Sequence, residues 1–142
     1  MAQLSMTAPL ARPGVSSVSF FVVGRLENPL NGSLAHAHWS RKSAWAAEWK
    51  IRTAASWACA RLEMPREVPK RITFTCYVGA SWDDDNLPAA CKPIRDALIG
   101  RAIQGDAKRD GHEFLYEQHV DRQRRGVDVH IEPRTGGAGE NE

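Results

Sequence analysis

The sequence predicts an α+β domain, in which a small mixed or antiparallel sheet packs with two main helices. Four segments are rich in β-branched and aromatic residues or alternate apolar with polar side chains, as strands do. Two longer segments repeat apolar residues at helical spacing. Along the chain the order is strand, loop, helix, strand, helix, strand, strand. The 142 residues are enough for one domain with a hydrophobic core.

The first strand and the first helix occupy the first half of the chain. Residues 1–17 are small and polar, and we expect them to form a flexible N-terminal segment. The apolar run at 18–25 predicts a buried strand, and the turn-rich residues at 27–33 predict a loop. Ser40 is a suitable N-cap for a long helix that reaches about Leu62.

This long helix has two apolar faces. One carries mostly alanines together with Ile51, and we expect these small residues to pack closely on the sheet. Trp45 and Trp49 form an i,i+4 pair on another face. We expect the pair to cover the edge of the core, and a contact with a second copy of the chain is the alternative.

A half-buried strand and a second helix follow. Residues 71–78 alternate between apolar and polar side chains, which is typical of a strand with one buried face. A helix is predicted over 87–98, where Pro88 falls in the first turn and is tolerated. Pro93 either kinks this helix or means that the helix starts later, near Lys92.

The end of the domain is predicted to be a hairpin. Residues 113–120 and 127–132 have strand character, and a basic turn at 121–126 would join them. From 134 to 142 the chain is rich in glycine and acidic residues, so we expect a disordered tail. The predicted single domain therefore spans 18–133.

The composition is that of a globular protein without a membrane partner. Hydrophobic residues make up 42%, yet no apolar run approaches the ~20 residues that cross a bilayer. The N-terminus lacks the pattern of a secretory signal, and three widely spaced cysteines suit free thiols in the cytoplasm. Net charge is +2, and 14 arginines against 5 lysines mildly favour a phosphate-bearing partner.

Three consecutive aspartates at 83–85, here called the aspartate run, follow the 71–78 strand. Adjacent carboxylates repel one another, and a hard divalent cation such as Mg²⁺ or Mn²⁺ relieves that repulsion. If the strand continues through the run, Asp83 and Asp85 point to the same side and can share a metal ion. Alternatively, one aspartate caps the following helix and the others face solvent.

Lys92 lies about two helical turns after Asp85, so it can face back towards the carboxylates. A lysine there can neutralise a phosphate or protonate a leaving oxygen. The alternative is an ordinary surface ion pair with Asp96. Together these residues indicate a metal-dependent phosphodiester site.

The central motif resembles that of a known family. Residues 83–87 read DDDNL and residues 92–98 read KPIRDAL. This is similar to the DxDN…K…DAL signature of the RusA family of Holliday junction resolvases, which are common in phages and prophages. The resemblance implies a RusA-like fold and a homodimeric, Mg²⁺-dependent endonuclease that nicks four-way DNA junctions in a bacterial cytoplasm, with Mn²⁺ as a possible substitute.

The resemblance also assigns roles by position. It implies that Asp83 and Asp85 are paired metal ligands and that Lys92 is the catalytic lysine. The family's third aspartate follows the helix, and here two candidates compete. Counting forward from Lys92 favours Asp106, whereas counting back from the next strand favours Asp110. We prefer Asp110, because strand register constrains a position better than a variable loop does.

Basic residues outside the motif are candidates for phosphate contacts, although each one alone is also an ordinary solvated charge. Two other functions remain open at this point. One is a nuclease that acts on other branched DNA, and the other is a non-catalytic DNA-structure-binding protein that lost a metal ligand. The candidate contacts are Arg41, Lys42, Lys108, Arg109, Arg122, Arg124 and Arg125.

Overall fold

A computed structural model describes residues 16–134 and confirms an α+β fold with a four-stranded mixed sheet. The predicted N-terminal segment, apart from residues 16 and 17, and the predicted tail, apart from Arg134, lie outside the described residues. Within that part of the chain, no helix is long and apolar enough to span a bilayer. The elements are β1 (Val18–Val23), α1 (Gly32–Ala35), α2 (Trp39–Cys59), β2 (Lys70–Val78), α3 (Leu87–Leu98), β3 (Glu113–Val120) and β4 (Gly126–Pro133).

The strand order is β1-β4-β2-β3, with β4 inside the sheet. Strand β4 pairs antiparallel with both β1 and β2, whereas β3 pairs parallel with β2. The predicted hairpin is therefore wrong, although both of its strands form where expected. The reason is burial: Val127, Val129 and Ile131 of β4 are fully buried, which favours a central strand, whereas Leu115 and Val120 leave β3 exposed at the edge.

Residues 121–125, here called the arginine turn, cross the end of β2 because β3 and β4 lie on opposite sides of it. The backbone N–H of Asp121 donates to the carbonyl of Val78 at 2.8 Å. At the other end of the turn, the N–H of Gly24 donates to the carbonyl of Arg125 at 3.3 Å. The arginine turn therefore lies at the end of β2 from which the chain enters the aspartate run.

Helix α2 packs against the sheet through its tryptophans. Trp49 and Trp57 are buried, and the Trp57 ring meets Phe20 of β1 edge-on at 5.7 Å. Ile51 is 64% exposed, so the expectation that the small-residue face packs on the sheet is wrong. Indole rings remove far more apolar area from water than alanine methyl groups do, and this difference decides which face turns inward.

Both main helices begin close to their predicted starts. Helix α2 begins one residue before Ser40, and its N-cap is His38, whose Nδ1 accepts from the Ser40 N–H at 3.2 Å. Helix α3 begins at Leu87 and continues through the buried Pro93, so this proline does not delay its start. The amphipathic face of α3 supplies much of the core, with Leu87 and six further buried residues.

Candidate functional site

The aspartate run leaves β2 and turns directly into α3. Asp84–Asn86 forms a 3-10 turn, Asp83 precedes it in extended conformation, and Leu87 begins the helix. The strand therefore does not continue through the run, and the alternation expected for Asp83 and Asp85 does not apply. All three carboxylates are exposed at the start of α3, where the helix dipole favours negative charge.

Gln118 of β3 holds the run in place. Its side-chain oxygen accepts from the backbone N–H of Trp82 at 2.9 Å. Its amide nitrogen donates to the Trp82 carbonyl at 2.8 Å and to Asp84 Oδ1 at 2.9 Å. Asp84 is thus bonded to the neighbouring strand, whereas the side chains of Asp83 and Asp85 make no hydrogen bond or ion pair with any described residue. Sequence reasoning gave Gln118 no role, because only the parallel β2–β3 pairing brings it here.

A cleft of about 1010 Å³ opens beside Asp83. Its lining includes the loop that contains Asn28 and Asn31 and the segment from Tyr77 to Asp83. Four arginines and two carboxylates line it, so its charge is net positive next to a free carboxylate. The charged lining residues are Arg25, Glu27, Arg41, Asp83, Arg122 and Arg125.

The four arginines differ in how firmly they are held. Arg41 pairs with Glu27 at 3.3 Å, and Arg125 Nη1 donates to the carbonyl of Asp121 at 3.0 Å. Arg25 and Arg122 are exposed and have no partner among residues 16–134. Arg25 was missed at the sequence level, where it was only the last residue of the predicted strand at 18–25; β1 ends two residues earlier, at Val23. Two arginines are therefore anchored at the cleft and two are free to bind an anion.

Asp110 lies at the opposite end of the sheet from the aspartate run. Its Oδ2 accepts from the Ala107 N–H at 3.1 Å inside a short 3-10 turn. Two residues later, His112 Nδ1 accepts from the N–H of Lys70, the first residue of β2. Strand β2 has nine residues, and at a rise of ~3.3 Å per residue its ends lie roughly 26 Å apart.

Asp106 pairs with an arginine instead of joining the run. Its Oδ2 lies 3.2 Å from Arg95 Nε, and both side chains are about one quarter exposed. Arg95 also donates to the Tyr116 hydroxyl at 3.3 Å and lies 4.1 Å over the Phe114 ring. Among the described residues, no three His, Cys, Asp or Glu side chains are close enough together to hold a metal ion.

Lys92 adopts the alternative that the sequence left open. Its Nζ pairs with Asp96 Oδ1 at 2.9 Å, and its side chain is 59% exposed. Arg124 packs on aromatic rings of the sheet, at 4.4 Å from Phe21 and from Tyr77. Three of the seven predicted phosphate contacts line the cleft: Arg41, Arg122 and Arg125. The other four, Lys42, Lys108, Arg109 and Arg124, do not line it.

The chain matches no model of a known protein family, and no curated protein matches it. The likeness to the RusA family therefore rests on the motif residues themselves.

The uncommitted carboxylates suit one common mode of magnesium binding. Mg²⁺ is often held by one or two carboxylates, while waters and substrate phosphate complete its shell. Asp83 and Asp85 are exposed oxygen donors whose side chains have no partner among residues 16–134. Of the two, Asp83 borders the cleft, whose arginines attract phosphate. These residues fit a cation that binds together with a phosphodiester substrate.

Proposed function

We propose that this protein is a RusA-like, metal-dependent endonuclease that resolves four-way DNA junctions by paired phosphodiester hydrolysis. The observation that supports this most strongly is the free carboxylate of Asp83 at the border of a cleft lined by four arginines. A surface that only binds DNA gains nothing from a carboxylate beside its phosphate contacts, because like charges repel. A cation between carboxylate and phosphate removes that conflict.

In the proposed mechanism, Arg25 and Arg122 bind non-bridging oxygens of the phosphodiester and orient it in the cleft. Asp83 and Asp85 hold Mg²⁺, or Mn²⁺ in its place. When bound, the cation polarises the phosphate and lowers the pKa of an attacking water. Lys92 exchanges its ion pair with Asp96 for the substrate and protonates the leaving oxygen.

The proposal includes a homodimer. Symmetric nicks in two strands require two active sites related by a two-fold axis. In a dimer, Asp110 of one copy can serve as third ligand to the site of the other, which the roughly 26 Å between the ends of β2 prevents within one chain. The resemblance to the RusA family also supports, as part of the proposal, a bacterial cytoplasm as location and a phage or prophage as source.

A second candidate is a non-catalytic protein that binds branched DNA. It is favoured by the separation of the carboxylates, since Asp106 pairs with Arg95 and Asp110 bonds its own turn. In that case the basic cleft binds the junction, and the aspartate run only forms the turn that leads into α3. A nuclease specific for other branched DNA, such as flaps, would use the same site.

The deciding experiment is a cleavage assay on a synthetic four-way junction, with duplex and flap controls, in Mg²⁺, Mn²⁺ or EDTA. We expect paired nicks confined to the junction in either metal and none in EDTA. Asp85→Asn should abolish cleavage and retain junction binding. Glu63→Gln is the matched control, because Glu63 is exposed beyond the far end of α2.

Each other outcome has a defined meaning. Tight junction binding without cut strands in either metal would favour the binding protein. Faster cutting of flaps than of junctions would favour the other nuclease. Neither binding nor cleavage of any branched DNA would refute all three functions.

A further inference from the structure

Arg124 packs over two neighbouring aromatic rings, 6.0 Å apart, on the sheet face that points away from the helices, a contact here called the clamp. Its guanidinium carbon lies 4.4 Å from the ring centroid of Phe21 and 4.4 Å from that of Tyr77. Both rings alternate with buried core residues along β1 and β2, so they stand on the opposite face. The Tyr77 ring also stacks on His119 at 5.6 Å, which extends the contact to β3.

The rest of the arginine turn is held by its own first residue. Asp121 Oδ1 accepts from the backbone N–H groups of Gln123 at 2.9 Å and Arg124 at 3.1 Å. These two hydrogen bonds lower the pKa of the Asp121 carboxyl below its usual value. The Asp121 carbonyl accepts from Arg125 Nη1 at 3.0 Å. The backbone of the turn is thus bonded internally and to the ends of β2 and β1.

We infer that Arg124 is a positioning residue and not a phosphate contact. By packing over the rings of Phe21 and Tyr77 it fixes the arginine turn so that Arg122 and Arg125 face the cleft. The inference rests on the proposed function, because it concerns how the cleft binds DNA. It separates three arginines that the sequence could not distinguish: two line the cleft, and the one between them in the chain anchors the turn to the sheet.

The physical basis is preorganisation. A planar guanidinium that stacks on aromatic rings loses its freedom before DNA arrives. Because the adjacent turn is already ordered, DNA binding does not lose free energy in ordering it. When the clamp is removed, Arg122 and Arg125 keep their charges but sample more orientations. Affinity for DNA should fall by about threefold to tenfold, the range expected for loss of one or two exposed cation–π contacts.

The test is a double-mutant cycle on junction binding, measured by fluorescence anisotropy in EDTA so that no strand is cut. We expect Arg124→Ala to weaken binding threefold to tenfold in the otherwise unaltered protein. In a background with Arg122→Ala and Arg125→Ala, the same change should cost less than twofold. Arg61→Ala is the control, because Arg61 is an exposed arginine just beyond the end of α2 and does not line the cleft.

A second variant tests the clamp without removing a charge. Phe21→Leu keeps an apolar side chain on β1 but removes the ring beneath Arg124. We expect it to reproduce part of the loss seen for Arg124→Ala, because the Tyr77 ring remains. Unfolding in urea is measured alongside to show that the fold is intact. A direct phosphate contact would instead leave Phe21→Leu at full affinity and give Arg124→Ala the same loss in both backgrounds.

That result would overturn the inference and leave the proposed function standing. Absence of junction binding by the unaltered protein would refute the proposed function, and the inference with it.

Discussion

Replacement of Asp106 by asparagine should lower stability and leave junction cleavage largely intact. The structure places this carboxylate in an ion pair with Arg95, at 3.2 Å, with both side chains about one quarter exposed. Fully exposed pairs contribute about 0.2–1 kcal/mol, and breaking a fully buried pair costs about 3–5 kcal/mol. An intermediate site should therefore lose about 1–2 kcal/mol of unfolding free energy, since Arg95 keeps its contacts with Tyr116 and Phe114.

Urea denaturation measures this loss directly, and the same preparations serve for the cleavage assay. Asp110→Asn is the matched control for stability. Its side-chain oxygen can still accept the hydrogen bond from the Ala107 N–H, so the cost should stay below about 0.5 kcal/mol. Asp106→Asn with unchanged stability and no cleavage would refute this reasoning, because it would make Asp106 a metal ligand instead of the partner of Arg95.

Three further changes test other contacts. Phe74 is fully buried and stacks on Tyr116 at 5.1 Å. Phe74→Ala should therefore lower the unfolding free energy measured in urea by about 3–5 kcal/mol, and a decrease below about 1 kcal/mol would contradict this packing. Lys70 is buried, and its Nζ donates to the Ala102 carbonyl at 2.8 Å. Burial lowers the pKa of this amine below its ordinary value of 10.5. Over part of the pH range below 10.5, the unfolded chain therefore keeps a proton on Lys70 that the folded chain has lost. The unfolding free energy, measured in urea at several pH values, should therefore rise with pH towards 10.5, by at most about 1.4 kcal/mol per pH unit. The same rise in a Lys70→Met variant would show that Lys70 is not its cause. Lys92→Ala should change stability by less than about 0.5 kcal/mol but slow junction cleavage by about 100-fold or more, and an unchanged cleavage rate would remove Lys92 from the mechanism.

Local patterns in the sequence were sufficient to locate most of the elements. Apolar periodicity and turn residues, which act between near neighbours in the chain, predict the helix at 87–98 and the strands at 71–78 and 113–120. They also predict the approximate first and last residues of β1 and β4. The inward face of α2 was not determined in this way. Both of its faces carry apolar side chains, and only the space above the sheet decided that Trp49, and not Ile51, lies inside.

The sequence by itself also identified the aspartate run as the unusual feature and the arginine turn as basic. It did not determine that these two segments are neighbours, or that Asp110 lies at the far end of β2. Alternation shows which side chains share a face of a strand, but not which strand lies beside it or in which direction it runs. The insertion of β4 between β1 and β2 carries the arginine turn across the end of β2, and the parallel β3 places Gln118 against Asp84. The site therefore depends on strand order, which is set by burial across the whole sheet and not by any local pattern.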